Sequence, residues 1–248
     1  MHLTATPRPA TATPATRTLL GIWAHPDDET FVSSGLLLEA RERGDRVVLV
    51  TATRGEHGTD DPGRWPADRL GAHRARELDA ALAILGVTEH RWLGYEDGTL
   101  PLVPVRTGAA RVAAIVEEVR PDTIVTFGPD GFTGHADHRA VAAWTRRAWR
   151  AAAPGAELVQ AVLPPGFTRR FAAINDEFGV FMDAPAAEVA PDRHLRLSGA
   201  RLDRKIAAML AQDSQTRRLV EGVGMATFRR WWAEESFVVR TSAAVRAA

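Results

Sequence analysis

Short apolar runs alternate with longer helix-like segments along most of this chain, and this alternation constrains the fold more than any other feature. The runs show no polar–apolar alternation, so each one suits a strand that is buried on both faces of a parallel sheet. Parallel neighbours need a crossover connection, which the helix-like segments between the runs can supply. The sequence therefore predicts an α/β fold with a doubly wound, mostly parallel, Rossmann-like sheet.

The predicted elements follow one another in strict order until the last third of the chain. Strands are expected over residues 18–23, 46–53, 90–94, 123–127 and 158–163. Helices are expected over residues 31–43, 67–85, 105–119 and 139–151. The C-terminal third is less regular, with a strand predicted near Val180, helices over 199–211 and 227–234, and a closing strand over 236–239.

Length and composition indicate one domain of an ordinary globular protein. A chain of 248 residues can bury one sizeable core, and 45% hydrophobic with 25% charged residues is typical of such a domain. The first 17 residues are rich in proline, alanine and threonine. We expect a flexible tail over residues 1–17 and a single domain over residues 18–248.

Net charge and cysteine content exclude several kinds of partner and several kinds of site. The formal net charge is zero, which argues against electrostatic binding to nucleic acid or to an anionic membrane. The chain has no apolar run long enough to cross a bilayer. It also contains no cysteine, which excludes disulfides and thiolate metal sites and predicts a cytoplasmic location.

Two clusters of histidine and aspartate follow predicted strands. The segment AHPDDE (24–29) comes directly after the first strand, and GHADH (134–138) lies a few residues past the fourth. In an open α/β sheet, ligands bind beyond the carboxyl ends of the strands, at the point where the strand order reverses. With the order 3-2-1-4-5, that point lies between the first and fourth strands. Both clusters would then meet there.

The residue types in the two clusters favour zinc. Imidazole nitrogen and carboxylate oxygen are normal zinc donors, and catalytic sites keep three protein ligands and an open position. One histidine and one carboxylate from the first cluster, with one histidine from the second, give that number. Of two adjacent aspartates, one can bind the metal while its neighbour takes a proton from a water that the metal activates. A histidine left off the metal is suited to stabilise or protonate a tetrahedral intermediate.

The ordered motifs resemble those of the PIG-L/LmbE-like family of zinc-dependent N-deacetylases, which includes mycothiol- and bacillithiol-pathway deacetylases. AHPDDE and GHADH match the two defining motifs of that family. Three further segments agree in order: TRGEHG (53–58), RARELDAALAILGV (74–87) and LGYEDG (93–98). The resemblance spans residues 23–139, and KIAAMLAQDSQ (205–215) extends it toward the C-terminus.

The resemblance implies a role for each matching position. Asp27 would be the general base, while His135 would act on the developing oxyanion or as general acid, with Asp137 orienting it. Arg74 and Asp97 match positions that contact the sugar-like substrate in relatives. Three residues would hold the Zn2+ ion: His25, Asp28 and His138.

Some positions depart from the family pattern or allow a simpler interpretation. Gln212 stands where a histidine near the site is common in relatives, which affects a substrate or supporting contact and not the zinc itself. On residue chemistry alone, Arg74 could pair with Glu77 on a helix face, and Asp97 could be a turn residue. Glu29 is expected to cap the following helix or to support the metal ligands.

The sequence as a whole predicts a zinc-dependent hydrolase that removes an N-acyl group, N-acetyl by resemblance, from an amino sugar or small glycoconjugate. The alternative is an amidase that acts on a thiol conjugate or a natural-product intermediate with the same zinc site. A nucleotide-binding protein is disfavoured because no glycine-rich phosphate loop follows the first strand. A ligand sensor is disfavoured because binding alone would not require Asp27 and His135. The expected partner is a small-molecule substrate, and a homo-oligomer is left open.

Overall fold

The apolar runs form the parallel part of one sheet in a computed structural model, which describes residues 16–59, 61–182 and 187–242. These strands lie in the order β3-β2-β1-β4-β5, as predicted, and every neighbouring pair is parallel. Their side chains are almost entirely buried in β1, β2, β4 and β5, which explains the continuous apolar sequence. The bounds are β1 Thr18–Trp23, β2 Arg46–Thr51, β3 Glu89–Trp92, β4 Thr123–Phe127 and β5 Glu157–Ala161.

Four crossover helices connect these strands. Two of them begin three residues earlier than their apolar spacing predicts, because their polar first turns belong to the two motifs. As a result, AHPDDE and GHADH each run directly from a loop into a helix. The bounds are α1 Asp28–Glu42, α2 Ala67–Leu85, α3 Val105–Val119 and α4 Ala136–Ala152.

The C-terminal third extends the sheet with two antiparallel strands and adds five helices among the described residues. β7 pairs with β5 on one side and with β6 on the other, so the full order is β3-β2-β1-β4-β5-β7-β6. Helix α7 packs against α1 and α2. The bounds are α5 Phe167–Arg170, α6 Ala172–Phe178, β6 Arg193–Arg196, α7 Gly199–Leu210, α8 Asp213–Val223, α9 Met225–Trp231 and β7 Glu234–Arg240.

Several elements of this third differ from the prediction. The segment at Val180 is not a strand; the additional strand is β6, a polar edge strand whose alternate residues are exposed. Helices α5, α6 and α8 were not predicted; α5 and α6 have only four and seven residues, and the sequence of α8 is mostly polar. The helix predicted over residues 227–234 ends at Trp231, because Glu234 and Glu235 belong to β7.

Most of the predicted N-terminal tail, residues 1–15, lies outside the described residues. None of the helices that the structure describes is both long enough and apolar enough to span a bilayer.

Candidate active site

The two motifs meet at the carboxyl ends of β1 and β4, which are neighbours in the sheet. A cavity of about 270 Å³ opens there. It lies at the point where the strand order reverses, as the topology predicts. Seven of the eight predicted site residues line it: His25, Asp27, Asp28, Arg74, Asp97, His135 and His138.

His25 directs one ring nitrogen away from the cavity, toward two carboxylates. Its Nε2 lies 3.0 Å from Asp97 Oδ1 and 3.2 Å from Asp137 Oδ2, so the Nε2 proton is donated on that side. Burial opposes protonation of the ring, but the hydrogen bonds with Asp137 and Asp97 outweigh it and raise the pKa of His25 to about 10. Without a metal the ring therefore carries a second proton on Nδ1, and a bound cation would displace that proton and take the Nδ1 lone pair.

His138 is oriented in the same manner by the loop that precedes α4. Its Nδ1 lies 3.0 Å from the carbonyl oxygen of Gly131, which can only accept a hydrogen bond. The ring stacks on Phe127 with 4.2 Å between centroids. Burial, assisted by the neighbouring His25, lowers the pKa of His138 well below its usual value. The ring is thus neutral, with the Nε2 lone pair available to a ligand.

The remaining imidazole nitrogen of each ring points at the other and at Asp28. His25 Nδ1 lies 3.1 Å from His138 Nε2, which in turn lies 3.3 Å from Asp28 Oδ1. In the metal-free protein the Nδ1 proton of His25 is donated to the Nε2 lone pair of His138, and a cation that replaced this proton would be bound by both nitrogens. Ligand atoms at 2.0–2.2 Å from a tetrahedral zinc are roughly 3.3–3.6 Å apart, so this donor set fits zinc in chemistry and spacing.

The charges of the site also fit a divalent cation. Burial is the largest effect on Asp28 and, with the charge of Asp27, raises its pKa to about 7 despite the opposing charge of His25. A cation would keep that carboxylate ionised. Two groups of described residues bring their ligand atoms within 4.8 Å of one another, His25 with His135 and His138, and His25 with Asp97 and Asp137. The second group is already engaged in hydrogen bonds, as expected of residues that support a metal ligand.

Asp27 is held beside this donor set by Arg74. The Nη2 atom of Arg74 lies 3.1 Å from Asp27 Oδ2, and it also donates to the Pro26 carbonyl oxygen at 2.6 Å. Nη1 donates to the carbonyl oxygen of Gly55 at 2.7 Å. Burial raises the pKa of Asp27 above its usual value, an effect that the Arg74 charge partly offsets. Arg74 is 3% exposed, so its described contacts lie within the protein, and its contact with substrate stays a prediction.

Asp97 and Asp137 also accept hydrogen bonds from backbone N–H groups. Asp97 Oδ2 accepts a hydrogen bond from the His57 backbone N–H at 3.0 Å. The Asp137 carboxylate accepts from the backbone N–H groups of Gly98 at 2.8 Å and Leu100 at 3.2 Å. Both carboxylates thereby connect the LGYEDG segment to His25. Their position explains why two acidic residues can be buried side by side.

His135 caps the N-terminus of α4. Its Nδ1 accepts a hydrogen bond from the Asp137 backbone N–H at 3.1 Å, so the proton of the neutral ring is on Nε2. Asp137 therefore contacts His135 through its backbone, whereas the described contacts of its carboxylate are with His25, Gly98 and Leu100. Burial lowers the pKa of His135, which is half-buried at the cavity wall.

Two contributions to the site were not predicted from the motifs. Gln212 donates a hydrogen bond to Glu29, which places it beneath AHPDDE. Trp232 packs edge-on against Phe31, 4.6 Å between centroids, and also lines the cavity. In the sequence, Trp231 and Trp232 are typical of residues that pack in a core. The position of Trp232 at the cavity is evident only from the structure.

The sheet order and the convergent donor set define a class: an α/β protein with a candidate metal centre where its strand order reverses. Within that class, the chain belongs to the PIG-L family, described as GlcNAc-PI de-N-acetylase, whose profile matches residues 20–149. A relative in Acidothermus cellulolyticus, a 1D-myo-inositol 2-acetamido-2-deoxy-alpha-D-glucopyranoside deacetylase, is 34% identical over 80% of this chain and 80% of that protein. The chain is therefore an amide hydrolase of the N-deacetylase class.

Solved structures share the fold at lower identity. The N,N'-diacetylchitobiose deacetylase from Pyrococcus horikoshii is 20% identical, with a TM-score of 0.67 over 92% of this chain and 85% of that one. The 4-carboxy-2-hydroxymuconate hydratase from Pseudomonas putida is 18% identical, with a TM-score of 0.62 over 90% of this chain and 96% of that one. Because a hydratase shares the fold, the fold alone does not determine the reaction.

Proposed function

We propose that this chain is a zinc-dependent hydrolase that removes an N-acyl group, N-acetyl in the first instance, from an amino sugar or small glycoconjugate. The observation that carries the proposal is the convergence of two imidazole nitrogens, 3.1 Å apart, with Asp28 next to them and Asp27 beside them. The relative in Acidothermus cellulolyticus acts on a 2-acetamido sugar joined to inositol, which supports a substrate of this class.

Zinc held by His25, Asp28 and His138 would polarise the acyl carbonyl and lower the pKa of a water at its open position to roughly 7. The chain's own residues would do the remaining work. Asp97 and Asp137 would keep the His25 proton on Nε2, so that Nδ1 stays free.

Asp27 would accept the proton of the attacking water. Its Oδ2 is engaged by Arg74, which fixes the plane of the carboxylate relative to the donor set. As the water oxygen bonds to the acyl carbon, negative charge develops on the carbonyl oxygen. The C–N bond then breaks, and the nitrogen must gain a proton to leave as an amine.

His135 would serve the second half of the reaction. With Nδ1 capped by the Asp137 N–H, the proton of the neutral ring is on Nε2. A donor on the cavity wall can stabilise the developing oxyanion or protonate the departing nitrogen. In this proposal Asp137 sets the tautomer of His135 through its backbone.

The alternative, an amidase for a thiol conjugate or a natural-product intermediate, would share this chemistry. Apolar side chains in the cavity lining favour it, since a larger conjugate could pack against them: Phe31, Val32, Phe132, Leu219 and Trp232. The polar lining residues Arg74, Asp97 and Gln215 favour a polar sugar. The cytoplasmic location and the homo-oligomeric state stay predictions from the sequence.

The test is amine release from a panel of N-acetylated sugars, sugar conjugates and acylated thiol conjugates by the zinc-loaded protein. Asp27→Ala should lower the rate by roughly 10²–10⁴-fold while one zinc per chain stays bound, because a positioned base contributes about that much. The exposed Asp176, changed to Asn, is the matched control and should leave the rate unchanged.

The outcomes separate the parts of the proposal. Hydrolysis of the thiol conjugates alone would favour the amidase. An Asp27→Ala protein as active as the wild type would eliminate Asp27 as the base. A wild-type protein that binds no zinc would contradict the whole mechanism.

A further inference from the structure

Asp27 has a backbone conformation that residues with side chains rarely adopt. Its φ is +100° and its ψ is −33°, directly before helix α1. Such a conformation persists only where the surroundings hold it, and it is often found at functional sites. The Asp27 carbonyl oxygen accepts hydrogen bonds from Thr30 N at 2.9 Å and from Phe31 N at 3.0 Å. These bonds secure its C-terminal side as the first turn of the helix.

The N–H side of Asp27 is held by Glu29. The Asp27 N–H donates to Glu29 Oε2 at 3.2 Å, so the side chain two residues further along the chain stabilises this turn. Glu29 is fully buried, and its second oxygen, Oε1, accepts from Gln212 Nε2 at 2.5 Å. A continuous chain of contacts therefore leads from Gln212 through Glu29 to the backbone of Asp27.

Gln212 is itself fixed between α7 and α8. Its N–H donates to the Met209 carbonyl oxygen at 3.0 Å, and its own carbonyl oxygen accepts from Thr216 N at 3.1 Å. The side chain is 1% exposed, and its Oε1 atom is buried with no hydrogen-bond partner among the described residues. A buried acceptor without a hydrogen-bond partner destabilises the folded protein. A contribution to stability therefore does not explain why the side chain at position 212 is an amide. The hydrogen bond that its Nε2 donates to Glu29 is the contact through which the amide can act on the site.

We propose that Gln212 and Glu29 are positioning residues for Asp27, with Gln212 acting through Glu29 from the C-terminal third of the chain. This inference rests on the proposed function, in which Asp27 is the general base. Arg74 holds the carboxylate of Asp27, and the Gln212–Glu29 pair holds its backbone. Without the amide, Glu29 can turn away, the Asp27 turn relaxes, and the carboxylate moves relative to the donor set.

The test compares Gln212→Leu with Gln212→His in the zinc-loaded, full-length protein. Leucine fills a similar space without a donor, and kcat should fall about 10- to 100-fold, because a displacement of about 1 Å can cost that much. KM and zinc stoichiometry should not change. Histidine carries an N–H at a similar reach, so Gln212→His should restore kcat to within about threefold of wild type, given a comparable hydrogen bond.

A matched control is available on β5. Gln160 is also a buried glutamine, with 4% exposure, and its Nε2 donates to the Phe127 carbonyl oxygen at 3.3 Å. Gln160→Leu makes the same substitution away from Glu29, so the φ of Asp27 should stay near +100°. Because Phe127 stacks on His138, the conformation of Asp27, and not kcat, is the readout of this control. Should leucine not fit at position 212, Gln212→Met gives an unbranched side chain of the same length.

A crystal structure of Gln212→Leu provides a readout that does not depend on turnover. Asp27 leaving the φ region near +100°, or occupying two conformations, would support the inference. An unchanged Asp27 turn together with an unchanged kcat would overturn it, and so would a Gln212→His protein as slow as Gln212→Leu. A wild type without amide hydrolysis would contradict the proposed function, while the crystal structure would still decide the positioning role.

Discussion

Two clusters of buried charged groups contact helix α1, and they differ in how their charges are balanced. Near the middle of the helix, Lys205 Nζ lies 2.8 Å from Glu235 Oε1, and both side chains have zero exposure. Lys205 also donates to the Phe31 carbonyl oxygen, while Glu235 accepts from Gly35 N at 2.8 Å. One cation faces one anion, and the backbone of α1 takes up their remaining hydrogen bonds.

The cluster at the N-terminus of α1 has an excess of carboxylates. Around the site lie four aspartates and a single arginine, which is paired with Asp27. Two imidazole nitrogens there face each other at 3.1 Å. The comparison shows that buried charge alone does not mark a functional site. A cluster that is neutral and fully bonded stabilises the fold, whereas a cluster with several carboxylates and convergent imidazole nitrogens is suited to a cation.

The largest expected effect concerns the balanced pair. Lys205→Met leaves Glu235 buried and unpaired, so the free energy of unfolding should fall by about 3–5 kcal/mol. Lys205→Met combined with Glu235→Gln removes both charges while keeping an acceptor for Gly35 N–H, and most of the loss should be recovered. Urea unfolding of the three proteins measures this. A double variant no more stable than Lys205→Met would contradict the interpretation that the two charges of this cluster balance each other.

A smaller effect is expected at the site cluster, where the readout is metal affinity. Asp97→Asn weakens the acceptor for the His25 Nε2 proton, and zinc affinity should fall by about 10- to 100-fold. Competition with a chelating dye gives the dissociation constant, and the exposed Asp176→Asn serves again as control. Equal zinc affinities for Asp97→Asn and wild type would mean that Asp97 does not support a metal ligand.

The smallest effect is expected at His90, a largely buried group on β3 that belongs to neither cluster. Burial lowers its pKa from 6.5 to about 4. Between these values the unfolded chain binds a proton that the folded chain does not, so stability falls as the pH drops. From pH 7 to pH 5 the loss should be about 1–2 kcal/mol.

The measurement is urea unfolding at pH 7 and pH 5 for the wild type and for His90→Gln. Glutamine does not titrate, so the difference between the two proteins isolates the contribution of His90 from that of the site histidines. A parallel pH dependence in both proteins would exclude His90 as its source. The pH dependence would then be assigned to the site cluster.

The parallel half of the fold could be predicted from the sequence because its strands are buried on both faces. Such strands are rich in apolar residues without a regular polar alternation, and β1, β2, β4 and β5 follow this pattern. Strand β6 could not be predicted in this way. Its sequence, RHLR, alternates between half-buried and exposed side chains, and its strand geometry depends on pairing with β7 some 40 residues along.

The residue types at the carboxyl ends of β1 and β4 can be read from the sequence, and the sheet topology brings those ends together. They predicted a donor set of one histidine and one carboxylate from the first cluster and one histidine from the second, and the family resemblance assigned these positions to His25, Asp28 and His138. The hydrogen bonds around these residues depend on tertiary packing. Arg74 contacts Asp27 across 47 positions, Asp137 contacts His25 across 112, and Gln212 contacts Glu29 across 183. A motif specifies residue types and spacing, but which nitrogen keeps its proton depends on partners that helix packing brings from distant parts of the chain.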